Sequence, residues 1–185
     1  LEVAKTGKAN FRFTCTQNLI LSDIDETDKI AIHQILVQFG IIEHTENSSA
    51  IRKNSMACVA LPTCPLALAE AQRYFPELIT KLEPILQKYG LGDDGIVARM
   101  TGCPNGCARP YVAEIGFVGT ATGKYNLHLG GDRQGERLNK IYRESLEESQ
   151  ILEILEQLFQ LYALEKNETE TFGDFSVRKE WVTYD

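Results

Sequence analysis

The sequence has no long apolar run. Its strongest helical candidate, 151–164, is broken by Glu153, Glu156, Gln157 and Gln160, and nothing approaches the ~20 apolar residues that span a bilayer. No membrane role is therefore expected. The first residues, Leu1-Glu2-Val3-Ala4-Lys5, lack the apolar centre of a secretory leader. They also begin at Leu rather than Met, which suggests a piece cut from a longer protein. Basic charge is in deficit, with 19 Lys and Arg against 26 Asp and Glu. That balance argues against nucleic acid as the main partner, because phosphate backbones are bound through Lys and Arg clusters. Repeats and low-complexity linkers are absent. What remains is 185 residues of ordinary composition, 43% hydrophobic and 24% charged, as in one soluble globular domain or one with a small appended lobe.

Cysteine is sparse and odd in number: Cys15, Cys58, Cys64, Cys103 and Cys107. An odd set without an export signal is a poor disulfide framework and points to a reducing, cytoplasmic setting, or a plastid stroma in a eukaryote. Four of the five form close pairs, C-x5-C at 58/64 and C-x3-C at 103/107. Structural zinc sites favour shorter knuckles, whereas soft thiolates on wider loops suit iron–sulfur clusters. Spacing alone leaves a cluster, a zinc site and unconnected thiols all open. Each pair lies among residues that bend the backbone: Leu61-Pro62-Thr63-Cys64-Pro65, and Thr101-Gly102-Cys103-Pro104-Asn105-Gly106-Cys107. Such loops can turn several N–H groups toward an electron-rich sulfur cluster. A tight turn explains Pro-Asn-Gly, but not the two cysteines that bracket it.

Along the chain, Phe11, Phe13 and Cys15 alternate with Arg12, Thr14 and Thr16, which predicts a strand over 11–21 with Cys15 as a core thiol and Gln17 on the same inward face. Asp25 or Thr27 can cap a helix through Ile30, Ile35 and Phe39 that Gly40 stops. A polar loop is expected over 43–54. Helices are expected over 66–75, 76–89, 136–144 and 151–164, and strands over 95–100, 111–118 and 124–129. The tail, 172–178, reads as a returning strand. This is an α+β domain with mixed α/β layers.

Two motifs then name a family. Asn54-Ser55-Met56-Ala57-Cys58-Val59-Ala60-Leu61-Pro62-Thr63-Cys64-Pro65 and Thr101-Gly102-Cys103-Pro104-Asn105-Gly106-Cys107-Ala108-Arg109-Pro110 resemble the two cysteine signatures of assimilatory sulfite reductase hemoproteins, within the sirohaem nitrite and sulfite reductase family. The strand ending in Gln17-Asn18-Leu19, the segment Tyr125-Asn126-Leu127-His128-Leu129-Gly130-Gly131, and Phe172-Gly173-Asp174-Phe175 also have counterparts there. The resemblance implies the C-terminal, cluster-binding part of that fold. Residues 1–24 would belong with a preceding half-domain, and 25–185 would form the sirohaem and cluster domain. It implies that Cys58, Cys64, Cys103 and Cys107 ligate one 4Fe-4S cluster, and that the Cys107 sulfur is also the axial ligand of the sirohaem iron. Gln17 and Asn105 match positions beside the sirohaem. Arg109 is a candidate for a sirohaem carboxylate or for structural pairing. His128 reads as structural, and His33 and His44 as ordinary helix and loop residues.

The implied activity is six-electron reduction of sulfite to sulfide. Pro62-Thr63-Cys64-Pro65 resembles the sulfite branch; nitrite reduction is the alternative, and a structural zinc or stand-alone iron–sulfur electron-transfer module is the alternative of another class. Cys107-Ala108-Arg109-Pro110-Tyr111 resembles the ferredoxin-dependent enzymes, and Tyr125 to Gly131 the flavoprotein-coupled bacterial type, so the expected donor is ferredoxin ahead of a flavoprotein reductase. Family members are about three times as long, and their cluster of Arg and Lys that holds the sulfite anion has no equivalent here. These 185 residues alone are therefore expected to be inactive, since reduction of a dianion needs charges to hold it and to supply protons.

Overall fold

The computed structural model describes Leu1 to Tyr184. The chain divides into two compact units, Leu1–Ser48 and Ser49–Asp185, whereas the sequence reading places a boundary after residue 24.

In the first unit, helix α1 (Glu2–Thr6) precedes a hairpin of β1 (Asn10–Phe13) and β2 (Leu19–Ser22), in antiparallel register with Phe11 opposite Leu21. The expected single strand over 11–21 thus folds back on itself. The Thr14 hydroxyl accepts the amides of Thr16 and Asn18 at 3.3 and 2.9 Å, spending them on a local turn. A 3-10 turn over Glu26–Asp28 follows Asp25, then α2 (Lys29–Gln38) and α3 (Ile41–Asn47). Gly40 between the helices is left-handed, as a helix stop requires.

The second unit is a five-stranded mixed sheet in the order β3-β4-β5-β6-β7: β3 (Met56–Ala57), β4 (Ala98–Thr101), β5 (Ile115–Ala121), β6 (Lys124–Leu129) and β7 (Lys140–Leu146). Strands β3, β4 and β5 are parallel neighbours; β6 and β7 continue antiparallel. The short α4 (Ala50–Lys53) is capped by Ser49, whose hydroxyl accepts the Arg52 amide and donates to Glu83. Helix α5 (Phe75–Lys88) makes the crossover from β3 to β4, burying Phe75, Leu78, Ile79, Leu82 and Leu86 as one stripe. Helix α6 (Glu148–Glu165) buries Ile151, Leu155, Leu158, Phe159 and Tyr162, and starts from a capping box of Glu147 and Gln150. Both helices join one core with Met100, Ile115, Phe117, Leu127 and Leu129 of the sheet.

Four segments differ from their predicted type, each for a local reason. Residues 66–74 are turns rather than helix, because the Leu68 and Ala69 amides are bound to Gly102 O and the Gln72 amide to Cys58 O. Residues 136–144 hold a loop and the start of β7. The Asp132 carboxylate gathers the amides of Gly135, Glu136 and Arg137 in the loop, but the Asn139 amide goes to Tyr111 O and the residues from Lys140 pair with β6, so no helix follows. The tail is α7 (Phe172–Arg178), capped by the Thr171 hydroxyl on the Asp174 amide at 3.2 Å, with Phe172 and Phe175 buried against Tyr162. The expected polar loop over 43–54 contains the end of α3 and all of α4.

One buried carboxylate ties this unit together. Glu114 accepts the amides of Val97 and Gly173 at 2.8 and 3.0 Å and pairs with Arg133, which also binds Asp94. Asp94 in turn accepts from Tyr162 and Lys166. Burial pushes the Glu114 carboxyl above its usual value, against the pull of those donors.

Candidate metal centre

Because β3 and β4 are parallel, with Met56 opposite Arg99 and Ala57 opposite Met100, both strands end on the same edge. Each leads directly into a cysteine loop. Cys58 continues the pairing past β3, its amide donating to Met100 O at 3.1 Å. Its sulfur receives the Gly102 amide at 3.3 Å and the Thr101 hydroxyl at 3.4 Å. Gly102 O accepts two amides from the first loop, Leu68 at 2.8 Å and Ala69 at 3.0 Å. The start of the first loop and the start of the second, 43 residues apart at the Thr101–Cys58 contact, are thus brought together.

Glycine makes this closeness possible. A Cβ on Gly102 would stand 2.6 Å from both Ala60 Cβ and Ala69 O, and one on Gly119 of β5 would stand 2.6 Å from Gly102 O. Gly119, just past the strand expected over 111–118, lies inside β5, where a glycine permits such a backbone approach.

Within the loops, the Cys64 amide donates to Ala60 O at 2.8 Å, and Cys64 O accepts from Ala67 at 3.2 Å. In the second loop the Gly106 amide turns back to Cys103 O at 3.4 Å, and the Tyr111 hydroxyl donates to Pro104 O at 2.7 Å. All four thiols are free: Cys103 is buried, Cys58 and Cys64 are half-buried, and Cys107 is exposed. Among the described residues, no three His, Cys, Asp or Glu side chains form a group for a single metal ion. A tetrahedral zinc, with bonds of about 2.3 Å, needs its sulfurs that close; a four-iron cluster takes thiolates from the corners of a larger body. Four thiols on two interlocked loops, one already receiving an amide, fit the donor chemistry of such a cluster.

The other predicted residues fall as follows. Asn105 is exposed in the turn between Pro104 and Gly106. Arg109 is exposed, left-handed at φ 53°, and its carbonyl accepts from Arg99 at 3.3 Å. Gln17 is exposed in the hairpin loop of the first unit at φ 61°, not on an inward face. Cys15 is exposed too, so it is not a core thiol, because the strand that would have carried it inward ends at Phe13. His128 is buried in β6, in keeping with a structural role, while His33 and His44 are exposed on α2 and α3. Tyr111 and Asn139 escaped notice in the sequence. Tyr111 read as a strand residue, and nothing local distinguishes Asn139.

The chain is 62% identical over 175 residues to the sulfite reductase (NADPH) hemoprotein beta-component of Leptospira biflexa, an alignment covering 95% of this chain and 32% of that protein. The proteins of the same name from Afipia carboxidovorans and Staphylococcus carnosus are 54% and 52% identical, over 98% and 96% of this chain and 31% of each of theirs. These names carry NADPH and lend no support to the expected ferredoxin. The fold superimposes on the Mycobacterium tuberculosis NirA protein with a TM-score of 0.73 at 26% identity, covering 96% of this chain and 34% of that one. No family model matches the chain. The chain spans about a third of the length of the curated relatives it matches, and over that span it belongs to the sulfite reductase hemoprotein family.

Proposed function

We propose that this chain is the cluster-holding part of an enzyme that reduces sulfite to sulfide, with Cys58, Cys64, Cys103 and Cys107 ligating a 4Fe-4S cluster and the Cys107 sulfur shared with a sirohaem iron. The observation that carries this reading is the clasp between the loops: Gly102, next to Cys103, donates its amide to the Cys58 sulfur. Bound there, the two groups would store single electrons and deliver them to a substrate that takes six. The chain's own contribution is orientation and electrostatics. The Gly102 amide and the Thr101 hydroxyl both point their donors at the Cys58 sulfur and so fix its direction. Exposure of Cys107 beside buried Cys103 suits a sulfur that faces a second group.

Asn105 and Arg109, exposed on either side of Cys107, are read as sirohaem-facing. The exposed Phe13 and Leu19 support assigning residues 1–24 to a preceding half-domain. The NADPH in the relatives' names favours a flavoprotein reductase as donor, in a cytoplasmic setting. No helix among the described residues is long and apolar enough to cross a membrane.

Iron and acid-labile sulfide analysis of the full-length protein tests the site. About five irons, four from the cluster and one from the sirohaem, and about four sulfides per chain are expected, the sulfide falling below about one in Cys103→Ser. Zinc in their place would sink the reading. The 185 residues alone are expected to reduce no sulfite with a chemical reductant.

A further inference from the structure

Behind the second cysteine loop lies a set of polar side chains that neither motif predicts. Asn139, just before β7, donates its amide group to Pro110 O at 2.7 Å and Ala113 O at 2.9 Å, and its backbone N–H to Tyr111 O at 2.7 Å. It therefore holds the 3-10 turn (Pro110–Val112) that follows Cys107. From that turn the Tyr111 hydroxyl reaches back to Pro104 O at 2.7 Å. The Tyr111 ring also occupies the space where a Gly106 Cβ would stand, 2.7 Å from it. His128 meets the Tyr111 ring edge-on at 5.4 Å.

The His128 Nδ1 and the Asn139 Oδ1 are both buried and neither meets a hydrogen-bond partner, while the Asn139 side chain acts on the imidazole. A neutral imidazole with its proton on Nδ1 is the form whose donor matches the Asn139 acceptor. Room for the assembly comes from Gly116, directly opposite His128 in the β5–β6 register. A Cβ there would stand 2.5 Å from Pro110 O and 2.8 Å from the Asn139 amide nitrogen.

We propose that His128, Asn139 and Tyr111 form a brace that sets the shape of the 103–107 loop, and so act as positioning residues for its two thiolates. The inference rests on the reading of that loop as a cluster donor. The brace grips the loop at Pro104 and the turn at Pro110, one on each side of Cys107. Fixing both ends fixes the directions in which the Cys103 and Cys107 sulfurs point.

The test uses the full-length protein freed of iron, so its outcome is separate from that of the iron and sulfide analysis. Cysteine labelling by a maleimide is followed at each site by peptide mass spectrometry. Cys107, exposed, should react fast, and Cys103, buried, slowly. Tyr111→Phe keeps the ring and removes one neutral hydrogen bond; it should speed Cys103 labelling about fivefold. Asn139→Leu removes two and should speed it further. His128→Phe should show the same selective rise, with His128→Gln partly restoring the slow rate. Labelling of Cys58 and Cys64 should not change. A Cys103 rate within about twofold of the unaltered protein in Tyr111→Phe, or an equal rise at all four thiols, would overturn the proposal. Tyr111→Phe alone decides the matter should Asn139→Leu fail to fold.

Discussion

The two units of this chain bury their apolar residues very differently. In Ser49–Asp185 the sheet and two long helices share one core, in which Phe117, Phe159, Phe172 and Phe175 are fully buried. In Leu1–Ser48 only Val3 and Ile32 are buried, while Phe13 is 89% exposed and Ile30 72%. Hydrophobic composition is therefore a poor guide to which part of this chain is self-sufficient. The second unit has the layers that a stable domain needs, and the first leaves most of its apolar side chains uncovered.

Substitutions should separate the units by size of effect. Phe117→Ala is expected to cost about 3–5 kcal/mol in urea unfolding, and Phe13→Ala no more than about 0.5 kcal/mol; equal costs would erase the contrast. Gly119→Ala should cost about 1–3 kcal/mol, because the new methyl meets the Gly102 carbonyl and the Ala69 Cβ. That loss should come with faster thiol labelling at Cys58, which a simple helix or strand effect would not give. Ser49→Ala should cost about 1 kcal/mol, through the lost cap on α4 and the lost bond to Glu83.

The smallest expected effect is on pH dependence. Burial lowers the affinity of His128 for a proton, only partly offset by Asn139. The unfolded chain then binds the proton more readily, so stability is lost as pH falls through the usual imidazole value of about 6.5 toward the lower folded one. His128→Gln should flatten that acid-side slope in urea titrations. An unchanged slope would assign the loss to other groups.

Much of this was legible in the residues themselves. The α5 and α6 stripes follow from period alone, because each buries a single face against a continuous core. The cysteine pairs stood out for the glycines and prolines around them. What escaped was long-range hydrogen bonding. Residues 66–74 have good helical composition, yet their amides are claimed by Gly102 and Cys58 from distant parts of the chain. Asn139 likewise gives its amide to Tyr111 O, and the residues from Lys140 pair with β6, so the 136–144 pattern has no amides left for a helix. Side chains such as Asn139 carry no periodic signature, since their role depends on carbonyls that only the folded turn presents. Cys15 and Gln17 misled because alternation over 11–16 continues past the point where the chain reverses.

The clasp at Gly102 also gives one of the thiols a second duty. The bonds that hold the two loops together run from the Leu68 and Ala69 amides to the Gly102 carbonyl, and from the Gly102 amide and the Thr101 hydroxyl to the sulfur of Cys58. Replacing Cys58 with Ala therefore removes an acceptor that the polypeptide itself uses, and leaves the buried Gly102 amide without that partner.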